Sequence, residues 1–344
     1  MDPRPSHWFS PARHADRRPF LLVRNRIVAA IRGWFADRGF LEVDCAALAI
    51  SPGNEAHLHG FATDLVQPDG SRQLRYLHTS PEFACKKLLA AGETRIFSLG
   101  HVWRNRERTP THSPEFTMLE WYRANEDYHS VIADTLELTR LAAEVAGTTL
   151  FRWRGRECEP GAEVRHLDIS DAFRAHAGID LLATLAADGT ADRDALARLS
   201  PVAFQPDESW SDIFSRILSE RVEPQLGNGA LTIVDHYPAV EAALARRVPS
   251  DPRLAERFEL YACGVELANG FGELTDAAEQ RRRFLAEMEV KERVYGERYP
   301  LDEELLAALA MMPPAAGVAL GLDRLVMLAA GATHIDQVQW TPVA

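Results

Sequence analysis

Basic residues are in short supply: 38 lysines and arginines stand against 50 acids in 344 residues, a formal net charge of −12. A broad basic footprint is the mark of proteins that coat nucleic acid. Its lack argues against that role and leaves room only for a local basic site. Cysteine is sparse too. Cys45, Cys85, Cys158 and Cys263 form no CxxC pair, so neither a zinc ribbon nor a disulfide framework is expected, and a reduced cytoplasmic setting fits. The N-terminal "MDPRPSHWFSPARHADRRPF" has no apolar signal core. The longest apolar stretch, "PPAAGVALGLDRLVMLAAGA" at 313–332, opens on two prolines and carries Asp323 and Arg324 in its middle. Despite its GxxxG spacing it reads as a buried element of a water-soluble core rather than a membrane span. No repeat or low-complexity tract is present.

What is there is globular, with 46% hydrophobic residues. Residues 1–19, rich in Pro, Arg and His, are expected to be irregular, with one domain over 20–344. A helix is expected over 20–38, stopped at Gly39, followed by a short "FLEV" strand. "LRYLHT" alternates as a strand. "SPEFACKKLLAAG" follows as a helix capped by Ser80, with Pro81 at its first position and Gly92 at its end. "RIFSLGHVW" and "FTMLEWYRA" are two strands joined by a long loop. Residues 128–146 form a helix. "SWSDIFSRILSERVEP" is a helix with a capping-box pair in Ser209 and Asp212. A hairpin over 258–274, a helix at 276–295 and a strand-helix unit at 317–330 complete the chain. Strands and helices mix without βαβ regularity, which predicts an α+β fold on an antiparallel sheet.

Chemistry gathers in three places. In "HVWRNRERTPTHSPEFTMLEWY", arginines could clamp phosphate oxygens and Phe116 or Trp121 could stack on a base. Arg104 is fixed by its strand end, whereas Arg106 and Arg108 read as solvated loop charges. In "RFELYACGVELANGFGEL", a two-residue turn at Cys263-Gly264 would pair Tyr261 with Glu266. Glu259, Tyr261, Glu266, Ala268 and Gly270 would then share a face. Two carboxylates so placed repel without a cation and suit magnesium. Strict alternation sends Asn269 and Glu273 to the opposite face, unless Gly270 or Gly272 makes a bulge. In "GVALGLDRLVML", Arg324 falls in the first turn of a helix. A cation there opposes the helix dipole unless an anion lies opposite; the competing reading is a surface arginine paired with Asp323.

Taken together, these segments resemble the catalytic domain of class II aminoacyl-tRNA synthetases, most closely the lysyl type. "GFLEVDCAAL" is similar to motif 1, "WRNRERTPTHSPEFTMLEWY" to motif 2 and "GVALGLDRLVML" to motif 3. "FELYACGVELANGFGEL" is similar to the metal and lysine segment. Only 38 residues precede the motif 1 stretch, where a lysyl-tRNA synthetase carries an anticodon-binding domain. With "SPEFTMLEWYR" and "GVALGLDRLVMLA", the resemblance is therefore closest to the stand-alone elongation factor P–lysine ligases. That resemblance implies an ATP-dependent ligase that activates (R)-β-lysine, or lysine, as an acyl-adenylate and passes it to a lysine of elongation factor P. It implies a homodimer with ATP and Mg²⁺, and tRNA is not the expected partner.

Site roles follow from the same resemblance. Arg104 would hold the α-phosphate and the amino-acid carboxylate, and Arg324 the γ-phosphate. Phe116 would stack on adenine, Glu107 would lie near its amine, and His112 would assist the phosphates. Glu259 and Glu266 would carry Mg²⁺. Glu273 and Tyr122 would hold the distal ammonium, with Glu82 and Glu120 near the other amine and Asn269 near the carboxylate. Ala319 stands where lysyl synthetases have glycine, a methyl that would reshape the pocket for β-lysine. Two departures stand out: Ala46 in place of the motif 1 proline, and Arg106 where motif 2 has Glu, with Glu107 one residue later. The alternatives are a tRNA-charging enzyme and a catalytically inactive paralogue; the presence of Arg104, Arg324, Glu259 and Glu266 speaks against the latter.

Overall fold

The computed structural model describes residues 7–343. Eight strands make the central sheet: β1 (Leu41–Glu42), β2 (Arg95–Trp103), β3 (Glu115–Ala124), β4 (Arg165–Asp168), β5 (Thr232–Asp235), β6 (Arg257–Ala262), β7 (Val265–Gly272) and β8 (Ala315–Gly321). Their order across the sheet is β1-β2-β3-β8-β7-β6-β5-β4. The outer pairs β1–β2 and β5–β4 are parallel, and the pairs between them are antiparallel. The expected α+β class on a mostly antiparallel sheet is what the chain adopts.

Strand alternation divides the sheet into two faces. Leu119 and Trp121 of β3, Val318 and Leu320 of β8 and Leu260 of β6 turn to one side. There they join the apolar stripes of three helices, α1 (Pro11–Asp37), α3 (Tyr128–Ala146) and α5 (Leu322–Ala330). Each such side chain taken fully from water contributes about 1.5–3 kcal/mol. The opposite face carries polar side chains. At one end it is closed by α2 (Glu82–Ala90), α4 (Ala277–Tyr295) and the short helix Glu303–Leu309.

Helix α1 starts well before the expected residue 20. Ser10 and Pro11 open it, and Pro19 lies inside it. The expectation of irregular structure therefore fails over 11–19, and its first six residues lie outside the described part. Tertiary contacts override the local signals: Arg17 is buried and donates to the carbonyl of Asp336 at 3.1 Å. The Arg24 guanidinium is buried against Asp323 and Thr117. Residues 151–226 hold short strands, the helix Ile169–Ala177 and the expected helix, observed over Trp210–Ile217, around a second core of Phe173, Trp210 and Phe214. The Ser209–Asp212 capping box forms as expected, but the regular helix stops at Ile217 and Leu218–Val222 coil more widely.

Candidate active site

The polar face of the sheet is organised in rows. Glu120 of β3, Ala319 of β8, Asn269 of β7 and Glu259 of β6 stand side by side across four strands. The next row is Tyr122, Gly317, Phe271 and Arg257. This is how residues far apart in sequence meet: each strand contributes one side chain per row, every second residue.

Register decides which residues of β7 join. The turn at Cys263-Gly264 forms as expected, with Ala262 opposite Val265 and Tyr261 opposite Glu266. Leu260 then faces Ala268, not Leu267. Leu267 is thus the extra residue of a bulge, and alternation beyond it is inverted. The expectation that Ala268 and Gly270 share the acidic face is corrected. Asn269 lies there instead, opposite Glu259, and Glu273 continues the same parity. The bulge falls upstream of both glycines considered for it, because Leu267 itself is buried in the core.

A cleft opens over Asn269 and Ala319 of the first row. The loop between β2 and β3 contributes Arg104, Glu107 and His112 to its wall, and the start of β3 contributes Phe116. Glu266, Asn269, Ala319 and Arg324 form the other wall. Arg104 lies 5.4 Å from the centre of the Phe116 ring and donates to the carbonyl of Thr79. Arg106 takes a positive φ of 66° and pairs with Glu297. That reversal turns Arg106 away and leaves Glu107 on the cleft. Trp121, the alternative stacking residue, is fully buried in the core and donates to Asp134, so it takes no part.

Arg324 sits in the first turn of α5, as expected. Asp323 is not its partner, since Asp323 is buried with Arg24, Gln339 and the Thr117 amide. Arg324 instead donates to the carbonyl of Glu266 at 2.8 Å and to Nε2 of His112 at 2.5 Å. His112 must then be the neutral tautomer that accepts through Nε2. Burial, and next the charge of Arg324, push its pKa down to about 4.

Glu259 is buried, with Arg257, Tyr237 and Tyr261 all donating to it at 2.5 Å. Glu223, at the end of the coil after Trp210–Ile217, was not foreseen. Burial and then the charges of Glu259 and Glu266 push its pKa up to about 7. Glu259 and Glu266, with Glu223 near them, offer oxygen atoms of the hard kind that magnesium takes. Among the described residues no three His, Cys, Asp or Glu side chains are grouped closely enough to hold a metal by themselves.

Beyond Ala319 the face becomes an acidic pocket. Glu120 is 1% exposed and accepts from Ser80 at 2.5 Å and from Tyr122 at 2.8 Å. Burial and then the charge of Glu82 push its pKa up to about 8. Helix α2 begins at Glu82, one residue later than expected, and the Glu82 amide donates to the Ser80 hydroxyl. Glu273 is buried and its pKa is pushed up to about 7 by burial, against the pull of Lys86. Lys86, also unforeseen, is fully buried between Glu82 at 2.5 Å and Glu273 at 2.7 Å. Gly317 has no side chain for a physical reason: a Cβ there would collide with the Tyr122 ring and Glu273 Oε1. Glu55, on the loop before the strand Phe61–Val66, adds a further acid with its pKa pushed up to about 7, by burial and then by Glu82. A basic, aromatic cleft thus opens onto a carboxylate-rich pocket, an arrangement that can take an anionic nucleotide beside a diamine.

A family model described as tRNA synthetases class II (D, K and N) matches residues 4–344. The chain belongs to the class II tRNA synthetases. Within that family it is similar to proteins named elongation factor P–(R)-β-lysine ligase. The one from Haemophilus ducreyi is 40% identical over 92% of both chains. The one from Klebsiella pneumoniae is 41% identical over 93% of this chain and 94% of its own. That from Salmonella gallinarum is 40% identical over the same shares. Arg104, Glu107, His112, Phe116, Glu266, Asn269, Ala319 and Arg324 line the cleft, Glu82, Glu120, Tyr122 and Glu273 meet in the acidic pocket, and Glu259 stands opposite Asn269, whereas Trp121 lies in the core. The three missed, Lys86, Glu223 and Glu55, sit outside the motif segments, and their burial has no signal in a single sequence.

Proposed function

We propose that this chain uses ATP to activate (R)-β-lysine and transfers the lysyl group to the ε-amine of a lysine of elongation factor P. The observation that carries the reading is the junction at Ala319: a cleft lined by Arg104, Phe116 and Arg324 on one side, and the buried acids Glu120 and Glu273 on the other. The names of relatives about 40% identical along almost the whole chain support the same reading.

In the first step a carboxylate oxygen of the amino acid attacks the α-phosphorus. The bond to the β-phosphate bridge breaks and pyrophosphate leaves. Arg104 meets the α-phosphate and carboxylate, and Arg324 releases His112 to meet the γ-phosphate. Catalysis is positioning and charge stabilisation in a site that excludes water. Glu259 and Glu266, with Glu223 beside them, would hold Mg²⁺, which when bound supplies positive charge to the phosphate oxygens. Glu120, Tyr122, Glu273 and Glu82 hold the two ammonium groups, and Asn269 lies toward the carboxylate. In the second step the acceptor amine attacks the carbonyl carbon, the carbon–oxygen bond to AMP breaks and an amide forms.

Pairing of two copies and a cytoplasmic setting belong to the same reading. Strand β1 is a two-residue edge, and its Leu41, like Leu48, Ile50 and Leu74 elsewhere, exposes apolar surface. No helix among the described residues is long and apolar enough to cross a membrane. The test is (R)-β-lysine-dependent ATP–pyrophosphate exchange. Arg324→Ala should abolish it, and an unaffected variant would contradict the assignment.

A further inference from the structure

The acidic pocket already contains an ammonium group of its own. Lys86 Nζ lies within ion-pair distance of Glu82 and Glu273, and the side chain is 1% exposed. Helix α2 aims it inward from the far side of the pocket, one residue after the buried Cys85. Burial opposes its charge, yet Glu273 and Glu82 together outweigh burial and raise its pKa. The proton of the cluster therefore rests on Lys86.

A buried ion pair is a poor device for stability alone, because desolvation consumes most of the attraction. Its place here suggests another use. Glu82, Glu120 and Glu273, with Glu55 beside Glu82, crowd acids into one pocket, and Lys86 offsets part of that charge. It also reaches two carboxylates at once, which restricts where each can point before substrate arrives.

We propose that Lys86 is a positioning residue of the diamine pocket: its buried ammonium, paired with Glu82 and Glu273 at once, fixes where the two side chains point and offsets part of the pocket's acid charge before the substrate ammonium groups arrive. The proposal rests on the function proposed above. The groups facing Glu273 are Glu82 and Lys86 of α2, Tyr122 of β3 and, from the chain after Leu244, Arg246. Arg246 is paired with Glu256, so Lys86 is the cation that answers Glu273.

The test compares wild type with Lys86→Met in (R)-β-lysine-dependent exchange between about pH 6 and pH 9. The KM for the amino acid should rise at pH 7 while the KM for ATP stays. The acid limb of kcat/KM should move up by about one pH unit or more, since Glu273 loses its nearest cation. A folded variant with an unmoved limb and an unchanged amino-acid KM overturns the proposal. Should Lys86→Met fail to fold, Lys86→Met with Glu82→Gln removes one charge of each sign and carries the same comparison. Thermal melting against pH separates this from the functional reading. A wild type inactive with every diamine would sink that reading, while Lys86→Met should still lose melting temperature more steeply than wild type as pH rises. An equal slope overturns the role of Lys86.

Discussion

Arg324 donates to Nε2 of His112 at 2.5 Å, so the imidazole is an acceptor and not a second cation. With its pKa pushed down to about 4 by burial and then by Arg324, His112 stays neutral throughout the neutral range. His112→Gln, which keeps an acceptor of similar reach, should raise the KM for ATP by less than about tenfold. It should also leave the pH profile in place. Steady-state exchange kinetics check this. A profile that shifts with His112→Gln would show that the imidazole titrates during the reaction.

The titrating groups are expected in the acidic pocket. Glu273 and Glu120 have pKa values pushed up to about 7 and about 8, burial being the main cause for both. Two substrate ammonium groups need both as carboxylates, so the KM for (R)-β-lysine should fall as pH rises from 6 to 8. Stability has the opposite sign. Both folded-state values lie above the ordinary 4.5, so the folded protein keeps protons that the unfolded chain has lost. The corresponding stabilisation is present below about pH 4.5 and is lost as pH rises through about 7 and then 8. Melting curves of the free protein should drop across that window, and Glu120→Gln should flatten the drop.

Gly317→Ala should disable the pocket without touching the nucleotide cleft. The added methyl meets Tyr122 and Glu273 Oε1, and forcing an extra carbon into a packed site costs about 1–3 kcal/mol. The amino-acid KM should rise strongly while ATP binding is kept. Isothermal titration with ATP and with (R)-β-lysine separates the two.

Much of this was legible in the sequence because the governing signals are local. The turn at Cys263-Gly264, the Ser209–Asp212 cap and the strand-helix junction at Gly321 each follow from residue type over a few positions, and each formed. The bulge at Leu267 was not legible. A two-residue period says nothing about which strand inserts an extra residue, so Asn269 could not be assigned to the site face by alternation. The start of helix α1 was hidden differently: its anchors, Arg17 and Arg24, find their partners in Asp323 and the C-terminal carbonyls, at the other end of the chain. Lys86 looks like one of two surface lysines on an amphipathic helix. The packing of α2 between β3 and the helix Glu303–Leu309 buries it.

The measurement that bears most directly on the account is the intact mass of purified elongation factor P after incubation with this protein, ATP, Mg²⁺ and (R)-β-lysine, beside a parallel tRNA-charging reaction. The account predicts a gain of one lysyl unit on elongation factor P with little tRNA charged. Charged tRNA beside unmodified elongation factor P would contradict it.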